Sequence, residues 1–238
     1  MTPSKYLATL AGTALMLGGG AHAAQKETLH YLTSADVEPV MILPKPFAPG
    51  SDGENAELAE LHRIIASASA ARMAQAKWDD AHEDPALFDD VLGVKLEVMP
   101  ATWALLSEVQ EEGEVAADVS KNYFDRARPW ATDSTLANCD AGKNANPRRS
   151  YPSGHSTLSY SVGFVLARLV PEKADVILSR AADYAMSRQV CGVHYPSDTE
   201  ASHVLATIIG TKLLANPSFV AKMAAARSEL RAAHLTHW

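Results

Sequence analysis

The chain has 238 residues, a formal net charge of −7 and no run of five or more basic residues, which excludes a protein that grips the phosphate backbone of nucleic acid. A hydrophobic content of 47% is ample for one sizeable core. A low-complexity or disordered chain is excluded on the same ground.

At the N-terminus, Lys5 precedes the apolar run "YLATLAGTALMLGGG", which ends in Ala21-His22-Ala23, a small-x-small cleavage pattern. The run is too short and too Gly-rich at its end for a good membrane span, so residues 1–23 are read as a signal peptide cleaved after Ala23. Their loss removes one Lys and no acid, taking the charge from −7 to −8. A retained anchor or a core helix is the alternative. No later stretch approaches membrane length without interruption, so a soluble, periplasmic or secreted chain with no stable membrane association is expected.

Residues 30–53, "HYLTSADVEPVMILPKPFAPGSDG", are rich in proline and read as an extended arm lying over the helices. Ser51-x-x-Glu54 is a capping box for a first long helix, in which Leu58, Leu61, Ile65 and Ala68 repeat at helical spacing through "ENAELAELHRIIASASAARMAQAKW". Residues 101–120 form a second candidate helix. Residues 128–155, "RPWATDSTLANCDAGKNANPRRSYPSGH", are long, polar and turn-rich, the kind of connection that in a compact domain carries function or is disordered. Leu158, Val162, Val165, Leu166, Leu169 and Val170 then mark one buried helical face within 156–170. Further helices are expected at 172–186, at 202–215 (Val204, Leu205, Ile208, Ile209 and Leu213) and at 217–233, with Ser197-x-x-Glu200 capping the one after Pro196. Strand-like alternation is almost absent and no repeat is visible. The fold class is therefore all-α: a compact, single-domain helical bundle over 24–238 with an extended Pro-rich N-terminal arm.

Two cysteines in an exported chain suggest one disulfide, and Cys139 with Cys191 is the sole pairing; two buried free thiols are the alternative.

Three polar segments carry the chemistry. "KNYFDRARP" holds Lys121 and Arg128, "PSGH" holds Ser153, Gly154 and His155, and "SRQVCGVHYPSD" holds Arg188, His194 and Asp198. Three fixed cations, a Gly that lets an anion approach backbone N–H groups, a hydroxyl before a helix N-terminus and two imidazoles suit a phosphoryl group. Lys121, Arg128 and Arg188 supply the field, so no metal or other cofactor is required. His194 with Asp198 can act as a nucleophile whose tautomer the carboxylate fixes, and His155 can protonate a leaving alkoxide and later activate water.

Each element also has a plainer reading. Lys121 and Arg128 fit a solvated helix end, Ser153 a helix cap, Ser197 or Asp198 the cap of the next helix, and the histidines a structural role. His194 and Asp198 as metal ligands would share one helical face only if Pro196 did not interrupt the helix, and no second ligand cluster stands nearby. A serine hydrolase would need the G-x-S-x-G elbow, which "YPSGH" lacks.

The ordered set K-x6-R-P (Lys121 to Pro129), P-S-G-H (Pro152 to His155) and S-R-x5-H-x3-D (Ser187 to Asp198) resembles the tripartite phosphatase signature, with all its defining residues in place. Bacterial class A non-specific acid phosphatases, type 2 phosphatidic acid phosphatases and vanadium-dependent haloperoxidases share that signature. Likeness to the class A enzymes extends over nearly the whole mature chain and implies an acid phosphatase domain at 24–238. It further implies an all-α fold, often dimeric, that acts on small-molecule phosphomonoesters including nucleotides. By the same resemblance His194 would become the phosphohistidine, Asp198 would support it, and His155 would be the general acid and base. Lys121, Arg128, Ser153, Gly154 and Arg188 would bind phosphate. Haloperoxidases resemble much longer chains, lipid phosphate phosphatases would show several membrane spans, and a silent phosphate-binding protein would not need every catalytic residue.

Overall fold

A computed structural model describes residues 28–143 and 145–238; the expected signal peptide lies outside the described residues. Among the described residues there are helices, turns and irregular segments and no strand, so the fold is all-α.

The Pro-rich arm is less extended than its composition suggests. It forms a 3-10 turn over Ser34–Val37 and one helical turn, α1 (Pro39–Ile42), with Pro39 in the first helical position, where its missing N–H costs nothing. Leu32, Val37 and Leu43 anchor it in the core, and the buried carboxylate of Glu112 accepts the N–H groups of His30 and Tyr31. Farther on, the Pro44 carbonyl accepts the Tyr151 hydroxyl at 2.7 Å, which ties the arm to the long loop.

The first long helix is two. α2 (Asp52–Ser67) is capped by Ser51, which accepts Glu54 N–H at 3.3 Å, while the Glu54 side chain takes Gly50 N–H instead of closing a reciprocal box. The chain then breaks at Ala68, and Ser69 caps α3 (Ala70–Ala81) by accepting Arg72 N–H at 3.1 Å. Serines in "SASA" compete for backbone hydrogen bonds, which makes a break inexpensive there. The new direction lays α3 along the helix at Ala174–Val190, where the fully buried Asp79 receives Arg180 Nη2 at 2.5 Å and the Ser187 hydroxyl. After the short α4 (Asp89–Leu92), α5 (Pro100–Phe124) runs to Asp125, whose left-handed backbone (φ 46°) ends it and turns "RARP" inward.

Between α6 (Pro129–Thr132) and α7 (Gly154–Leu169) lies the long loop, held by Arg128 N–H to the Pro147 carbonyl at 2.7 Å and Ser150 N–H to the Arg126 carbonyl at 3.1 Å. α7 is the central helix, buried on most sides, and packs against α5, α8 (Ala174–Val190) and α9 (Pro196–Ala215). Gly163 allows the close approach of α8: a Cβ there would lie 3.1 Å from Ala181 Cβ. The periodicity at Leu158, Val162, Val165, Leu166, Leu169 and Val170 is the core face, each of them at most 1% exposed. α9 and α10 (Pro217–Ala232) meet at 90°, with Asn216 capping α10 through Ser218 and Phe219 N–H. Among the described residues no single helix is long and apolar enough to cross a membrane.

Cap assignment at α9 also differs from the sequence reading. Pro196 takes the first helical position, Tyr195 is the N-cap residue, and Asp198 accepts Tyr195 N–H at 2.9 Å; Ser197 points into an ion-pair network, and Glu200 plays no capping part. Pro196 starts the helix two residues earlier than a Ser197 cap would, because its fixed φ suits the first helical position. Cys139 and Cys191 are joined as a disulfide, beside a 2.9 Å bond from Cys139 N–H to the Cys191 carbonyl.

Candidate active site

All eight residues singled out from the three segments converge. Lys121 comes from the last turn of α5, Arg128 from the N-cap of α6, Ser153, Gly154 and His155 from the start of α7, and Arg188 from the end of α8; His194 sits in the α8–α9 turn and Asp198 in the first turn of α9. Pro196 keeps His194 off the helix while bringing Asp198 back beneath it.

His194 is 2% exposed, and its two nitrogens face opposite chemistry. Nδ1 lies 3.3 Å from Asp198 Oδ2, and Nε2 lies 3.3 Å from Arg128 Nη1. An ionised carboxylate only accepts and a guanidinium only donates, so the neutral ring that satisfies both carries its proton on Nδ1 and its lone pair on Nε2. Burial, and then the charges of Arg128, Arg188, Lys121 and His155, hold His194 well below the usual imidazole range. The ring is thereby held in its neutral form.

Asp198 has no exposed surface. Its Oδ2 accepts the Ser150 hydroxyl at 2.6 Å and Tyr195 N–H at 2.9 Å, and its Oδ1 accepts Arg126 Nη1 at 2.7 Å. Burial pushes its carboxyl up to about 6 against the pull of Arg126.

On the other wall, His155 Nδ1 lies 2.8 Å from Glu83 Oε1, and Nε2 faces the Asp80 carbonyl at 3.4 Å. Burial and Arg188 lower the His155 imidazole, and Glu83 opposes them. A Cβ placed on Gly154 would stand 2.9 Å from Lys121 Nζ and 3.8 Å from Glu83 Oε1, so that carboxylate lies among the site's cations. Although burial works the other way, the hydrogen bond from His155, with Arg188 and Lys121 nearby, holds Glu83 below the usual carboxylate range.

Asp80 likewise pairs with Arg188 Nη1 at 2.5 Å and with Lys143, and Asp140 lies 3.6 Å from Arg128. Arg188 Nε is buried and finds no acceptor among the described residues, a donor suited to an anion oxygen. Ser153 caps α7: its oxygen accepts Ser156 N–H at 3.3 Å and the Ser156 hydroxyl at 3.0 Å, which leaves its own O–H to donate. Among the described residues no group of three or more His, Cys, Asp and Glu is arranged to hold a metal ion.

The sequence reading missed Arg126, Glu57, Asp80 and Glu83. Glu57 carried a signal, since it falls with Leu61 on the buried stripe of α2, an odd place for a carboxylate. Ser187, by contrast, faces Asp79 and not the anion site.

A family model described as the PAP2 superfamily matches residues 101–219, a span that contains all three polar segments. This chain belongs to the PAP2 superfamily. Among curated relatives, a non-specific acid phosphatase of Salmonella typhi is 30% identical over 166 residues, covering 65% of this chain and 66% of the relative. An acid phosphatase of Zymomonas mobilis is 36% identical over 115 residues (48% and 44%), and a non-specific acid phosphatase of Providencia stuartii is 32% identical over 130 residues (52% and 51%). The chain thus spans two thirds or less of the length of these relatives. Glu57, Asp80 and Glu83 lie before the segment that the PAP2 model matches.

Proposed function

We propose that this PAP2 chain is an exported, metal-independent acid phosphatase that hydrolyses small phosphomonoesters, nucleotides included, through a phosphohistidine at His194. The observation that carries this reading is the pairing of His194 Nδ1 with Asp198 while Nε2 turns toward Arg128, with Lys121, Arg188 and His155 close enough to act on the same ring. The names of the curated relatives support it.

In this mechanism the Nε2 lone pair forms the N–P bond as the ester P–O bond breaks. Positive charge then develops on the ring, and Asp198 stabilises it through Nδ1–H. Lys121, Arg128, Arg188, the Ser153 hydroxyl and the Gly154 N–H neutralise the equatorial oxygens. His155, through the nitrogen that Glu83 holds in the free site, gives its proton to the departing alkoxide. It then takes one from the water that cleaves the N–P bond, releasing inorganic phosphate and restoring neutral His194.

Acid-quench trapping with a radiolabelled phosphoester tests the proposal. Label in the peptide containing His194 is expected; turnover with label elsewhere, or with none, refutes the mechanism. Vanadate is expected to inhibit competitively, whereas strong inhibition by EDTA would refute metal independence.

A further inference from the structure

"RARP" places two arginines two residues apart, and they part company. Arg128 faces His194, whereas the hydrogen bonds of Arg126 go to Asp198 Oδ1 (2.7 Å), Ser197 Oγ (2.7 Å) and Glu57 Oε2 (2.7 Å), with its guanidinium 3.8 Å above the Tyr195 ring. Glu57 is anchored in turn, accepting Ser197 N–H at 2.6 Å and the Ser197 hydroxyl at 3.0 Å. Side chains of both Arg126 and Glu57 are at least nine-tenths buried.

We infer that Arg126, clamped by Glu57, is a positioning residue for the His194 nucleophile, its charge keeping Asp198 an anion and so keeping the lone pair on Nε2. The inference rests on the phosphohistidine reading above. Asp198 is faced by Ser150 and Tyr151 from the long loop, by His194 and Tyr195 from the turn before α9, and by Arg126 from the loop after α5; Arg128 and, beyond the guanidinium, Glu57 lie farther out. Of these, Arg126 alone brings a permanent positive charge into hydrogen-bond contact with the carboxylate, and both it and Glu57 help hold Arg126 protonated against burial. A carboxyl buried this deeply without that charge takes up a proton. Protonated Asp198 can donate to Nδ1 of His194, which moves the ring proton to Nε2 and removes the lone pair that must attack. Burial already raises Asp198, so the margin that Arg126 supplies is narrow.

The test is the pH dependence of kcat/KM with p-nitrophenyl phosphate for the wild type, Arg126→Lys, Arg126→Met and Glu57→Gln. Asp198 must be ionised, so its titration sets a limb on the acid side. Arg126→Met is expected to move that limb upward by about one unit or more, a roughly tenfold loss at any pH below it. Inhibition by inorganic phosphate should stay within about threefold of the wild type, since Arg126 does not touch the anion site. Arg126→Lys keeps the charge and should return the limb toward its wild-type position even if its Tm is lower. Glu57→Gln removes an opposing negative charge and should move the limb down, which keeps the inference testable if Arg126→Met does not fold. An unmoved limb in Glu57→Gln, or in folded Arg126→Met, overturns the inference, as does phosphate affinity falling in step with kcat/KM. A wild type without turnover overturns this inference and the phosphohistidine reading together; a wild type labelled at His194 with unmoved variant limbs overturns this inference alone.

Discussion

Glu83 Oε1 lies 2.8 Å from His155 Nδ1, and both it and Lys121 Nζ lie within 4 Å of where a Cβ on Gly154 would stand, so the free site holds a carboxylate of its own beside the groups proposed to bind phosphate. An incoming phosphate must share the field of Lys121 and Arg188 with Glu83. In Glu83→Gln the competing charge is gone, and inorganic phosphate is expected to inhibit several-fold more tightly, with KM falling in parallel and kcat changing less than either. Isothermal titration with phosphate checks it; weaker binding would make Glu83 a helper of the site and not its competitor.

The two imidazoles should fail differently. His194→Ala is expected to lose essentially all turnover yet still bind phosphate, because Lys121, Arg128 and Arg188 remain. His155→Ala should lose about 10²- to 10⁴-fold with alkyl phosphates and much less with p-nitrophenyl phosphate, whose leaving group needs little protonation. Equal losses for both ester types would remove His155 from the general-acid role.

Gly154→Ala should fold normally. The one tight contact of the added methyl is with the flexible end of Lys121, 2.9 Å away, and that ammonium can swing aside without disturbing the backbone. Function should register the displacement as a several-fold rise in KM and in the phosphate inhibition constant at nearly unchanged Tm. A large drop in Tm would mean that the start of α7 tolerates no side chain.

Cys139 and Cys191 are 52 residues apart in sequence, and on the chain-entropy model closing that loop contributes roughly 4 kcal/mol. Reduction, or Cys139→Ser with Cys191→Ser, is expected to lower the urea midpoint accordingly. Since Asp140 adjoins the bridge and faces Arg128, phosphate affinity should change as well. An unchanged midpoint would show that the loop is already ordered in the unfolded chain or held by other contacts.

Helix content and the identity of the polar residues that converge were legible along the chain because both are local. Leu158, Val162 and Leu166 announce a buried helical face by spacing alone, and Ser51 announces a helix start by its hydroxyl. Where local signals conflicted, the reading slipped. "SASA" carries no proline or glycine to mark the break between α2 and α3, and Ser197-x-x-Glu200 imitates a cap that Pro196 and Asp198 had already supplied.

The sequence by itself determined which functional groups are present: three cations, two imidazoles, a carboxylate and a Gly-led helix start, each set by residue identity and short spacing. Only the tertiary structure decided which carboxylates answer those cations. Glu57, Asp80 and Glu83 reach the site from α2, α3 and the segment that follows it, across 69 to 140 residues of chain to the groups they meet, and Arg126 turns inward rather than toward the anion. The reason is physical: a buried charge is tolerable only with its counter-charge in contact, and packing, not sequence proximity, chooses that partner.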